Sequence, residues 1–268
     1  MTREEELEDK KMPLLDHLIE LRSRLLWSVL TLLACFGVCY YFSQEIYLFL
    51  TLPLVEALGP GGDRRMIFTA LTEAFFTYIK VSMWAAFFLA FPLIATQIWM
   101  FVAPGLYKNE KRAFLPFLVA TPILFFFGAA MAYYFIFPLA WKFFISFEMP
   151  AGDGTLPVVL EAKVNEYLSL VMTLIFAFGL SFELPVLLTL LGRVGILSAD
   201  ALRKGRRYAI VGIFVFAAVV TPPDVISQVG LAIPMILLYE VSIWAVVLIE
   251  RQRARREAEL DAENAASG

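Results

Sequence analysis

Residues 75–102 read FFTYIKVSMWAAFFLAFPLIATQIWMFV, with one charge, Lys80, near the start. Wound as a helix at about 1.5 Å per residue, this run is longer than the roughly 30 Å of hydrocarbon in a bilayer. Backbone amides placed in hydrocarbon find no water, and a helix pairs them all within one segment. The run is therefore read as a membrane-crossing helix. It is not alone: comparable apolar stretches occupy residues 25–42, 113–144, 166–191, 208–220 and 225–249. Over 268 residues the chain is 60% hydrophobic and 18% charged, whereas soluble domains carry about a quarter charged residues. No soluble core hides that many long apolar runs. The fold class expected is an all-α integral membrane protein: six kinked transmembrane helices forming a concave bundle.

The third run exceeds one crossing, so its end from Tyr133 to Phe144 is expected to leave as an interfacial helix. The fifth, 208–220, is shorter than one crossing. Seventeen of the 22 lysines and arginines fall on one side of this arrangement. They cluster at Arg3 to Arg24, Lys108 to Arg112, Arg193 to Arg207 and Arg251 to Arg256. The positive-inside rule then places both termini in the cytoplasm, which six crossings permit. The domain plan is a disordered acidic tail at 1–12, a membrane domain at 13–249 and a charged cytoplasmic tail at 250–268. The opening stretch from Glu4 to Lys11 is mostly acidic, and no small-residue cleavage site follows the first apolar run. That run is read as a retained span. Cys35 and Cys39 lie one helical turn apart within it and read as small packing residues, not a disulfide framework.

Pro92, Pro116, Pro122, Pro138, Pro185 and Pro234 lie in the apolar runs. An interior proline lacks an amide hydrogen and crowds the preceding turn, so kinks are expected there. Glu183, beside Pro185, costs on the order of 3 kcal/mol as a carboxylate at a span's interior, so it faces protein or water, or is protonated. A structural hydrogen bond to Gln97 in the second span and a functional role both fit. Glu240, near the end of the last span, either snorkels or pairs with Arg251. Residues 13–25, PLLDHLIELRSRL, form an amphipathic lead-in: Leu14, Leu18, Leu21 and Leu25 make an apolar stripe, and Asp16, Glu20 and Arg24 a charged one. Arg24 can serve as Glu20's local partner, giving an ordinary solvated face. Glu110 sits among cations in a short Pro-Gly loop and can simply balance them.

Enzyme chemistry finds little support. His17 is the sole histidine and lies outside the apolar runs, so no intramembrane serine–histidine pair is available. Asp224 is the one aspartate near a span, which argues against an aspartyl dyad. There is no phosphate-binding G-x-x-x-x-G-K-[ST] loop, and His and Cys spacing offers no metal site. No catalytic residue, cofactor or nucleic-acid partner is expected.

Four strings carry a resemblance. They are Asp16-His17-Leu18-Ile19-Glu20-Leu21-Arg22-Ser23-Arg24-Leu25, Val102-Ala103-Pro104-Gly105-Leu106-Tyr107-Lys108-Asn109-Glu110-Lys111-Arg112, Phe182-Glu183-Leu184-Pro185-Val186 and Thr221-Pro222-Pro223-Asp224-Val225-Ile226-Ser227-Gln228. In order and spacing they resemble the TatC family, the large subunit of the twin-arginine protein translocase, from about Pro13 to Ile249. Lys111 departs from the family's usual arginine, keeping the charge but not the planar fork.

The resemblance implies a receptor in a bacterial-type plasma (inner) membrane that binds twin-arginine signal peptides of folded cargo. It would assemble with the single-span subunits TatA and TatB for translocation driven by the proton-motive force, and self-associate in a larger receptor complex. On that pattern Glu20 and Glu110 meet the two guanidiniums, with Asp16 and Arg22 beside them. Glu183, Gln97 and Glu240 are the intramembrane polar candidates. Thr221, Pro222, Pro223, Asp224 and Gln228 form the periplasmic loop and partner-docking candidates. The alternative is an ion-coupled small-molecule secondary transporter using Glu183, which would normally show repeated halves; none is evident.

Overall fold

The computed structural model describes residues 14–59, 65–106, 115–149 and 156–267, and the regular elements among them are helical. They are α1 (Leu14–Tyr41), α2 (Ser43–Leu58), α3 (Glu73–Leu106), α4 (Leu115–Met131), a π-helical turn (Ala132–Ile136), α5 (Phe137–Ile145), α6 (Val164–Ser181), α7 (Leu184–Val194), α8 (Ala199–Val220) and α9 (Val225–Ser267). Five stretches are long and apolar enough to cross a bilayer: His17–Tyr41, Glu73–Phe101, Leu115–Ile145, Val164–Val194 and Val225–Arg256. The expected crossing at 208–220 lies in α8, which begins earlier, at Ala199. Its first nine residues include Asp200, Arg203, Lys204, Arg206 and Arg207, and this charge keeps α8 out of that group. The acidic tail at 1–12 lies outside the described residues.

Two elements depart from the sequence reading for identifiable reasons. First, the chain after the first span stays helical, an element the sequence reading did not include. Phe42 and Ile46 keep helical hydrogen bonds to Val38 and Phe42, and α2 follows. Its Leu50, Thr51, Pro53 and Leu54 are buried, so tertiary packing outweighs the local penalty of Pro53. Second, Tyr133 to Phe144 does not separate as an interfacial helix. The backbone runs on through the π turn, and Phe137, Ala140 and Trp141 are buried. Pro138 explains the turn. It has no amide hydrogen for the Tyr134 carbonyl, and the preceding Phe137 N–H bonds Ala132 instead, widening the helix at the proline ring.

Pro185 has a comparable effect in the fourth run. The helix breaks at Phe182–Glu183 and restarts with Pro185 in the first turn of α7, where its missing amide hydrogen costs nothing. At the other end of α7, Gly195 adopts φ +83°, a left-handed cap that a side chain would strain. Ser198 then caps α8, its Oγ accepting from the Ala201 amide at 3.2 Å.

The chain forms two compact units. One comprises α1, the start of α2, α3 and the first half of α4. The other comprises the end of α2 and everything from the second half of α4 onward. In the second unit Phe125, Phe137, Leu168, Leu174, Phe178, Leu231, Ile243 and Val246 are fully enclosed. Lipid tails are as apolar as these side chains, so helix association in a membrane depends on close van der Waals fit. The α4–α6 contact shows that fit. A Cβ on Gly128 would stand 2.5 Å from the Phe178 carbonyl oxygen, and one on Gly179 would stand 2.7 Å from the Phe125 ring.

Candidate functional site

The first unit gathers a polar cluster at the start of α1. Helical spacing puts His17, Glu20 and Arg24 on one face, and that face meets the last turns of α3. The His17 ring stacks on Phe101 with centroids 4.3 Å apart. Arg24 spans the two helices: Nη2 donates to Glu20 Oε1 at 3.3 Å, while Nη1 donates to Gln97 Oε1 at 3.3 Å and approaches Met100 Sδ at 3.6 Å. An arginine only donates, so the Gln97 amide must turn its oxygen toward it. The Arg24 and Glu20 side chains keep 31% and 32% of their surface exposed. An i,i+4 pair this open contributes about 0.3–0.5 kcal/mol. Glu20 is therefore oriented but not locked, and its carboxylate is within reach of an incoming donor.

The cluster differs from the sequence reading. Gln97 engages Arg24, a partner 73 residues away. Arg22 is exposed and, two residues from Glu20, lies on a different side of α1. The backbone of Asp16 belongs to α1, but its side chain lies outside the described residues, as does Glu110 with its loop. His17, Met100 and Phe101 were missed as companions of Glu20. A polar Gln97 inside an apolar run was the available signal, but it named no partner.

The second unit holds the remaining candidates. Glu183 occupies the break between α6 and α7, half-buried, with its Oε1 enclosed by protein. Its backbone bridges the two helices, the amide donating to Leu180 at 3.1 Å and the carbonyl accepting from Leu187 at 3.0 Å. Glu240 does not pair with Arg251. Eleven residues along one helix is about 16 Å, beyond the reach of the two side chains. Its partner is Arg206 of α8, with Nη2 2.7 Å from Oε2.

At the α8–α9 turn, Thr221 and Asp224 point inward. Thr221 Oγ donates to Ala217 at 2.9 Å, and Asp224 Oδ1 accepts the Ser227 amide at 2.7 Å as the N-cap of α9. Pro223 is exposed and Pro222 half-exposed. Gln228 Nε2 stands 3.5 Å from the Phe214 carbonyl, at the limit of a hydrogen bond.

Residues 16–234 match the family model of TatC, the Sec-independent protein translocase protein. A TatC of Magnetococcus marinus is 52% identical over 258 residues, covering 96% of this chain and 92% of that one. The TatC of Escherichia coli K12 is 43% identical over 232 residues, 87% of each chain. A crystal structure described as the twin arginine translocase receptor TatC superposes with a TM-score of 0.73 at 38% identity, covering 87% of this chain and 99% of that one.

Proposed function

Because this chain belongs to the TatC family of Sec-independent protein translocase proteins, we propose that it is the receptor subunit that binds twin-arginine signal peptides of folded cargo. As a multi-pass membrane component of a bacterial translocase, it works in the inner membrane with α8 as a sixth crossing and both termini in the cytoplasm. The proton-motive force drives transport, and TatA and TatB are the assembling partners. The observation that carries the reading is Glu20: a carboxylate about one-third exposed, held at the head of the first span by a fixed guanidinium. Carboxylates pair with arginine through two parallel charge-assisted hydrogen bonds, the chemistry a twin-arginine peptide offers. Glu110 is assigned the second guanidinium on the strength of its family string. Glu183, whose Oε1 is enclosed by protein, belongs to the wall that meets the inserted part of the signal peptide.

The test is photo-crosslinking of a twin-arginine peptide to the full-length protein in membranes. Glu20→Gln and Glu110→Gln should each weaken the crosslink, and the double variant should abolish it. Undiminished crosslinking to the double variant would sink the proposal.

A further inference from the structure

We propose that Arg24 is a specificity-determining residue: by neutralising Glu20 from a fixed position, it makes the site select arginine over lysine. The inference rests on reading Glu20 as a docking carboxylate, and it concerns what kind of cation that carboxylate accepts.

Arg24 is not a loose surface neighbour. Its Nη1 is tied to α3 through Gln97 Oε1 at 3.3 Å and Met100 Sδ at 3.6 Å, which leaves Nη2 for Glu20 Oε1. The guanidinium is therefore tethered to α3 beside the carboxylate, and Glu20 Oε2 has no hydrogen bond among the described residues. Glu20 and Arg24 together carry no net charge. A lysine ammonium is a compact, strongly hydrated point charge, so its attraction to a carboxylate is mostly Coulombic. At this site most of that attraction is offset by repulsion from Arg24 a few ångströms beyond. A guanidinium depends less on bulk charge. It is weakly hydrated, and its planar fork delivers two directed N–H···O bonds that fall off steeply when misaligned. Cancelling the charge therefore removes more from lysine than from arginine. A bare glutamate at this position would attract either cation; the bracketed one reads geometry.

Full-length protein in lipid nanodiscs would be titrated with two labelled signal peptides, one carrying the arginine pair and one with both arginines replaced by lysine. Arg24→Gln should bring the lysine peptide about tenfold closer in affinity to the arginine peptide, the scale of one partly screened unit charge at short range. Its salt dependence should also steepen, because the site then carries a net negative charge. Gln97→Glu leaves Arg24 in place but adds a near-isosteric carboxylate beside it, and should narrow the same gap. It also decides the matter if Arg24→Gln does not fold. Equal weakening of both peptides, or an unchanged ratio in the folded variants, would show that Arg24 only supports the helix pair and would overturn the inference. Glu20→Gln, run alongside, reports on the docking reading separately: retained binding of the arginine peptide defeats that reading whatever Arg24 does.

Discussion

Arg206 of α8 and Glu240 of α9 close an ion pair at 2.7 Å, one residue along from a buried contact in which Tyr239 Oη donates to the Leu202 carbonyl at 2.8 Å. Farther along, the Glu250 carboxylate accepts the Ala199 amide at 3.0 Å. Together these contacts bind the charged first half of α8 to α9. They are not of equal weight. Both members of the ion pair are exposed, with 49% and 37% of their side-chain surface open, and such pairs contribute about 0.2–1 kcal/mol. The Tyr239 hydroxyl is buried and shielded from salt, and losing its hydrogen bond costs about 0.5–1.5 kcal/mol. Tyr239→Phe should therefore lower the thermal midpoint of the detergent-solubilised protein more than Glu240→Gln. Raised salt should erase the effect of the second but not the first.

Asp224 supports a second prediction, about folding at the α8–α9 turn. Its Oδ1 is the acceptor for the Ser227 amide, and both residues are buried, at 5% and 0% exposure. Asp224→Ala removes a helix cap and strands a buried donor, costing about 1–2 kcal/mol. Asp224→Asn keeps an acceptor oxygen and should cost distinctly less. Proteolysis in the turn, followed against temperature, distinguishes them. Equal susceptibility in the two variants would mean that the cap does not hold the turn.

The apolar runs were legible in the sequence because hydrocarbon imposes a length and a composition on every crossing. Pro138 and Pro185 marked the places where helices would deviate, and the structure has a π turn at one and a break at the other. Sequence did not give α2, where Pro53 and Thr51 are tolerated because they are buried. Nor did it give Arg24 to Gln97 or Arg206 to Glu240, pairs 73 and 34 residues apart. Glu20 was visible as an acid on a charged stripe, but its bracket depends on how α1 packs against α3. Local periodicity carries no information about that packing. Thr221 and Asp224 stood out as polar residues at a span's end, and that pattern alone could not distinguish an inward cap from an outward docking surface.

A final prediction follows from the proposed assembly with TatA and TatB, and concerns which face of α8 a single-span partner would use. Its small residues serve two different neighbours. A Cβ on Gly205 would meet the Tyr239 hydroxyl at 3.7 Å, and Ala217 is fully buried, so these two belong to the contact with the rest of the unit. Gly212 is different: a Cβ there meets nothing within 4 Å, and Val211, Val215 and Val219 nearby are exposed. This open face combines a slim backbone with β-branched side chains, which suits close approach of another helix in lipid. A short apolar stretch also gains from such company, since mismatch with the bilayer is relieved by association. Cysteine at Gly212 should therefore form a disulfide with cysteine placed in the span of TatA or TatB. Gly212→Leu should weaken that association while leaving the thermal midpoint of the isolated protein near its original value. Cysteine at Ala217 should not crosslink, because that position is already covered. If Gly212 stays unlinked while outward positions on α4 such as Ile123 or Phe127 crosslink readily, the partner docks on α4 and the open face of α8 belongs to lipid.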